Sequence, residues 1–462
     1  MTGRCTLAGR RTLAGRDALT AGYLAEVGRR GLTRSDLLSV LPRTGLVAEA
    51  LSGRSLSRPL FLGQAESQRV NADLQHVRAA LVSLPDRLFG GDLAAFGRAA
   101  GLADRQVAAV LGTRGASVTQ LARADMYTDQ TGLRLLEFNM GSGVDGIENG
   151  EICRAMLRHP VLREFAREQG LRYVDTFGQH VGMIFDETGF ERDRGPMVAV
   201  VDWPAHYLRI RTFLHEITRR WRRRGLDAHA CHVGQLTVSN GRVRLRGRPV
   251  DIIFRIFLTE HLLEPDGPAL IEPLIDATRR GQVAMFTPLD AELYGSKIPL
   301  AMLSDHANRH LFSPEQLAAF DRVLPWTRTV RPGPVTLEDG RIVDLFGYAI
   351  EHQDDLLLKP ALLHGGMGVV AGWDPSTSPR TWRDQMTGAM GRPYVLQRRV
   401  RPQPELCPGE DGGLTGWVVT WGVFTFPDGY GGMLARAFTA DSGLAVTKAG
   451  SGLSIGCCLV GG

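Results

Sequence analysis

The stretch ARADMYTDQTGLRLLEFNMGSG, residues 122–143, constrains this chain more than any other part of it. LRLLEF is a short apolar run with alternation at its end, bounded by Gly132 and by a glycine-rich loop, MGSGVDG. That pattern predicts a buried strand leading into a loop. Glu137 and Asn139 stand two residues apart on it, so both project to one side. Asp125 lies twelve residues before Glu137 and returns to it if its own segment is a neighbouring strand with DQTG as the turn. Three oxygen-bearing side chains then converge, and Arg123, two residues before Asp125, shares their face. A buried strand carrying Glu and Asn on one face is costly without partners. The set suits magnesium, which takes one or two carboxylates and leaves the remaining positions to substrate phosphates. A half-buried hairpin whose polar face is merely wet is the plainer alternative.

Around this block the pattern changes several times. Residues 1–110 read as mostly helical, with apolar residues three and four apart in AESQRVNADLQHVRAALVSLPDRLF. Residues 111–194 carry the strand pair and return to helical pattern from 151. Within 195–290, PMVAVVDWP and DIIFRIF read as buried strands on either side of a helical stretch, with LTVSNGRVRLRG as a hairpin turning at Ser239-Asn240-Gly241. That order predicts an open α/β lobe. Residues 291–462 are mixed, and LTGWVVTWGVFTF followed by GGMLARAFTA reads as antiparallel strands.

Candidate ligand-binding residues cluster in this last region. In DLLLKPALLHGGMGVV, Lys359 ends an apolar strand and Gly365, Gly366 and Gly368 follow in a loop. Glycines let backbone N–H groups approach phosphate oxygens closely, and a lysine at the strand end adds a point charge. The loop lacks the GK[ST] ending of a P-loop, so a simple hairpin turn competes with this reading. Lys297 sits at a loop-to-helix junction, Gln397 on the strand PYVLQRRV, and Arg436 on a late strand after Gly431-Gly432. Each, taken alone, is equally well an ordinary structural residue.

Composition excludes more than it assigns. A chain of 462 residues that is 44% hydrophobic suggests two or three packed lobes. Its net charge of +5 suits an anionic ligand, but no nucleic-acid reader motif appears, and no nucleic-acid partner is expected. The run RRWRRR at 219–224 reads as the solvated end of a helix with Trp221 packed inward. Arg209, Arg211 and Arg255 either hold an anionic substrate or line the surface of the α/β lobe. Six scattered cysteines without metal spacing read as reduced thiols. No secretory h-region and no membrane-length apolar run appear, so no membrane partner is expected and a cytoplasmic location is. The assembly state is unreadable, a homodimer being one option.

Together these pieces resemble the glutathionylspermidine synthase-like carboxylate-amine ligases, an ATP-grasp family whose sequence order is circularly permuted. The resemblance rests on Arg-x-Asp, twelve residues, Glu-x-Asn and a glycine–serine loop, with Lys297, Lys359 and the glycine loop following instead of preceding. It covers residues 60–455 in short islands. It implies an α+β fold with an α/β lobe, in which mixed and antiparallel sheets clasp ATP, beside a helical N-terminal region. It further implies that Asp125, Glu137 and Asn139 hold Mg2+ and that Arg123 and Arg436 contact the phosphate in transfer. Lys297 and Lys359 would hold ATP phosphates, Gly365, Gly366 and Gly368 would cover them, Gln397 would begin the adenine hinge, and Ser142 would touch the acid substrate. The implied reaction joins a small-molecule or peptide carboxylate to an amine through an acyl phosphate. A catalytically silent ATP-binding scaffold and a phosphoryl transferase to a small acid or hydroxyl are the alternatives. One departure stands out: MGSG occupies the place where the family has an Ala-Asp pair.

Overall fold

The computed structural model describes residues 7–115, 117–426, 429–444 and 452–461. Cys5 lies outside them; the other five cysteines are buried free thiols. The central element is a sheet drawn from both ends of the chain. Its order runs Leu60–Leu62, Ser454–Gly461, Gly429–Thr439, Leu414–Phe426, Ala122–Asp129, Gly132–Met140. Leu60–Leu62 pairs in parallel with Ser454–Gly461, and the remaining neighbours are antiparallel. One face, carrying Ala122, Ala124, Met126, Leu133, Leu135, Phe138 and Met140, belongs to the largest hydrophobic core. The long helix Gln64–Phe89 adds Val70, Leu74, Val77, Leu81 and Leu84 to that core, at the three- and four-residue spacing of one helical stripe.

A second sheet, all parallel, is ordered Ala284–Phe286, Ile252–Arg255, Met197–Asp202, Asp227–His232. Its two inner strands, Ile252–Arg255 and Met197–Asp202, are buried and apolar up to their last residues because helices cover them, whereas the edge strand Asp227–His232 mixes in Asp227, His229 and His232; Trp221, from helix Pro204–Arg222, is fully buried against Phe254. The helix ends in the basic run, as expected. The hairpin Leu236–Ser239 to Arg242–Leu245 turns at Asn240 and Gly241, both with positive φ (50° and 68°). A third sheet is antiparallel, ordered Thr327–Thr329, Tyr394–Arg398, Leu356–Pro360, Val370–Ala371. The architecture is mixed α+β, and no helix among the described residues is long and apolar enough to cross a membrane.

Candidate active site

The strand pair Ala122–Asp129 and Gly132–Met140 sets the geometry. Arg123 lies opposite Asn139 and Asp125 opposite Glu137. The register slips between Asp125 and Met126, where Leu136 is the unopposed residue of a β-bulge. The slip has a definite consequence. Before it, Leu133 and Leu135 face the core; after it, Phe138 and Met140 do. Glu137 and Asn139 are thereby turned to the face away from the core, where Arg123 and Asp125 already stand.

On that face Asp125 is the hub. Arg123 donates to it through Nε (2.8 Å) and Nη2 (3.1 Å), and reaches the backbone oxygen of Asp145 through Nη1 (2.9 Å). Arg436, two strands away, donates to the same carboxylate at 2.5 Å. Asn139 donates at 3.3 Å to Asp125 and 3.4 Å to Glu137. Burial works against the Arg123 charge, but Asp125 outweighs it and holds the guanidinium firmly protonated. The arrangement needs Gly422, which lies opposite Asp125: a Cβ there would sit 2.9 Å from Cδ of Arg123.

Glu137 faces the lysines. Nζ of Lys297, at the first position of helix Lys297–Ser304, lies 3.2 Å from its carboxylate and donates to the Leu363 carbonyl at 2.8 Å. Lys359, near the end of strand Leu356–Pro360, donates to Gln397 (2.6 Å) and to the bulge carbonyl of Leu136 (3.1 Å). Both ammonium groups are buried, at 4% and 6% exposure. Burial alone would raise the pKa of Glu137; Lys297, Lys359 and His364 outweigh it and hold the carboxyl well below its ordinary range. Burial pulls Lys359 down to about 8, against the upward pull of Glu137. Four cationic side chains thus surround two carboxylates, and Nε of Arg436 is buried without a partner.

Seven of the residues singled out in the sequence therefore meet: Arg123, Asp125, Glu137, Asn139, Lys297, Lys359 and Arg436. Gln397 joins them in a way its sequence did not suggest. Its side chain is buried and spent on Lys359 and Thr327, so it holds the lysine in place. Gly365, Gly366 and Gly368 have positive φ (62°, 76° and 67°), and a Cβ on Gly368 would lie 2.9 Å from Pro360. Ser142 departs from the expected substrate contact: its hydroxyl is buried and bonded to the Arg255 carbonyl and the Thr287 hydroxyl. Arg255 is also internal. It is 1% exposed and bound to Glu292 and to the Thr287 and Phe257 carbonyls, so it lines no surface. Arg209 and Arg211 are exposed on helix Pro204–Arg222.

Two participants escaped the sequence. His364, immediately before Gly365, feels Lys297, Glu137 and Arg123, and burial first and Lys297 next lower its pKa. The other is the Leu136 carbonyl, whose only sequence signal is the doubled leucine that breaks the alternation. No group of three or more His, Cys, Asp or Glu placed to hold a metal occurs among the described residues. The donor set present is two carboxylates and an amide, all oxygen ligands once the Asn139 amide is turned, which is the hard set magnesium accepts when phosphates complete it.

No protein-family model matches the chain, and no curated protein matches it. Among solved structures it is similar to a glutathione synthetase-like effector, GSS30, from Globodera pallida in its apo form. The TM-score is 0.55 at 13% identity, over 87% of this chain and 89% of that one. A putative gamma-glutamylcysteine synthetase from Methylobacillus flagellatus aligns at TM-score 0.40 and 12% identity over 80% and 84%. D-alanyl-alanine synthetase A from Vibrio cholerae aligns at 0.26 and 10% over 50% and 67%, and at these scores neither carries an argument. At 13% identity the first likeness concerns the fold alone: this chain shares a mixed α+β architecture with that effector.

Proposed function

We propose that the chain is an ATP- and Mg2+-dependent ligase that joins a carboxylate to an amine, on a circularly permuted ATP-grasp fold. The observation that carries this reading is the charge imbalance of the site. Four buried or half-buried cations enclose two carboxylates, with one guanidinium nitrogen unpartnered. Buried excess charge is expensive, and a polyphosphate is the ligand that offsets it.

Asp125, Glu137 and Asn139 would hold Mg2+, which supplies charge neutralisation on phosphate oxygens. Lys297 and Lys359 release Glu137 and turn to the β- and γ-phosphates. Arg123 keeps the Asp125 carboxylate oriented through its two hydrogen bonds. Arg436 spreads the charge of the phosphoryl group as it passes to the substrate carboxylate. The Gly365–Gly368 turn presents backbone N–H groups and excludes water. The resulting acyl phosphate is attacked by the amine, which gives up a proton as the amide forms, and inorganic phosphate leaves. No side-chain nucleophile is required; catalysis is positioning and charge neutralisation.

The test is an ADP-release screen of acid and amine pairs with mass detection of products, repeated with hydroxylamine to trap the acyl phosphate as a hydroxamate. An amide product with stoichiometric ADP supports ligation. ADP release with a phosphorylated product and no hydroxamate would replace ligation by phosphoryl transfer, and ATP binding without any turnover would make the chain a silent binder.

A further inference from the structure

The glycine–serine loop that follows Asn139 is held at three points. At its start the Gly141 N–H donates to the Leu121 carbonyl (2.9 Å), two residues before Arg123. At its far end the Asp145 carbonyl accepts from Nη1 of Arg123 (2.9 Å). Between them Ser142 joins the loop to the carboxyl ends of two strands of the parallel sheet, Ile252–Arg255 and Ala284–Phe286. Its N–H donates to Oγ1 of Thr287 at 2.9 Å, and its hydroxyl donates to the Arg255 carbonyl. With the Ser142 proton so committed, the Thr287 hydroxyl is the donor of the 3.0 Å bond between the two hydroxyls, and the Thr287 N–H donates to Oγ of Ser142 at 3.3 Å.

This link is saturated and dry. Oγ of Ser142 gives one hydrogen bond and takes two, which is all a hydroxyl can make. Ser142 is 6% exposed and Thr287 not at all. Thr287 is fixed in turn by Arg255, whose Nε donates to its carbonyl at 2.8 Å. The loop also lies too close to the sheet for side chains on either side of Ser142. A Cβ on Gly141, whose φ is 114°, would stand 3.2 Å from Oγ1 of Thr287 and 3.3 Å from Nη2 of Arg255. One on Gly143 would stand 3.2 Å from Cδ2 of Leu258 and 3.4 Å from the Ile256 carbonyl. Apolar packing alone holds two surfaces together without fixing how they register, whereas a fully satisfied buried network specifies one arrangement.

We infer that Ser142 and Thr287 are positioning residues: they use the carboxyl ends of the parallel strands as a rigid stop that sets Asn139, three residues before Ser142, and Arg123, bonded to the same loop. The inference rests on the ligase reading above, in which Asn139 holds the metal and Arg123 orients Asp125. The parallel sheet thereby acts on the transfer centre through one serine.

Thr287→Val keeps the shape of the side chain and removes the hydroxyl, Thr287→Ser keeps the hydroxyl, and Ser142→Ala breaks the same link from the loop side. Each full-length variant is measured for melting temperature, for ADP release, and for binding of Mn2+ as a stand-in for Mg2+ in the presence of ATP, read from the relaxation of water protons. In Thr287→Val and Ser142→Ala, kcat and Mn2+ affinity should both fall by about tenfold or more, while KM for ATP, which Lys297 and Lys359 set, stays close to the parent value. Thr287→Ser should restore both quantities. A role in stability alone would lower the melting temperature and leave kcat and Mn2+ affinity in place. Unchanged kcat and Mn2+ affinity in a folded Thr287→Val, or a loss in Thr287→Ser as deep as in Thr287→Val, overturns the inference; if Thr287→Val does not fold, Ser142→Ala decides by the same two readouts. A parent chain that binds Mn2+ with ATP yet releases no ADP with any acid and amine sinks the ligase reading, and the Mn2+ affinities of the variants then decide the positioning role by themselves. A parent chain that binds no Mn2+ in the presence of ATP overturns both.

Discussion

The ammonium of Lys359 gives the site a pH dependence whose two signs are opposed. Phosphates bind its charged form, so ATP affinity should be level below about pH 8 and then fall, by up to tenfold per unit, as the free lysine loses its proton. Folding responds the other way. Between about 8 and the ordinary 10.5, the unfolded chain holds this proton and the folded chain does not, so stability rises with pH across that window. Melting temperature and ATP affinity, measured from pH 7 to 10, should move in opposite directions, and Lys359→Arg should remove both slopes. Glu137→Ala makes a second case. It leaves Lys297 and Lys359 buried without a counter-charge, at a cost of about 3–5 kcal/mol. Thermal shift should show a lowered Tm that ATP largely restores, while turnover falls by at least about a hundredfold. A variant with normal turnover would remove Glu137 from the chemistry. At this scale the sequence was legible where periodicity two applies: Glu137 beside Asn139, Asp125 opposite. It was not legible where a bulge shifts the period, because Leu136 contributes through its carbonyl, which no residue type encodes. His364 was lost among the glycines that follow it, one histidine on a loop being too common to single out.

Strands and turns explain why these side chains stay where they are. Gly422 lets Arg123 lie across its strand toward Arg436's carboxylate partner, and a methyl there would press on Cδ of Arg123 at 2.9 Å and on the Leu434 carbonyl at 3.1 Å. Gly422→Ala should cost about 1–3 kcal/mol of stability through overpacking. It should lower ATP turnover at least about tenfold by displacing Arg123 from Asp125, which steady-state ADP release will show. Gly422→Ala with unchanged turnover would mean that the Arg123 pose is irrelevant to the reaction. Most of the elements were readable as such, including the hairpin at Asn240-Gly241 and the strand–loop–strand around Gly365. The strand Ser454–Gly461 was not. Its sequence, SIGCCLVG, neither alternates nor carries β-branched residues throughout, because it is covered on both faces in the middle of the sheet. Leu60–Leu62 is three residues long, too short for any pattern to announce it.

At the scale of the molecule, residues far apart in the chain share one sheet. Strand Ala122–Asp129 is bonded to Leu414–Phe426, and the Arg436–Asp125 pair spans 311 residues. Order along the chain was readable, with Glu137 and Asn139 preceding the lysines. The long-range pairing itself was not, since nothing in a strand names its neighbour. It follows that the polar face cannot be finished until residues 414–439 have been made. Until they leave the ribosome, Ala122–Asp129 presents an open edge and Asp125 lacks one of its two arginines. A chain stopped at residue 410 is expected to be aggregation-prone, which sedimentation of the expressed fragment will measure, and a chain in synthesis should need protection by holding chaperones until residues 414–439 have emerged.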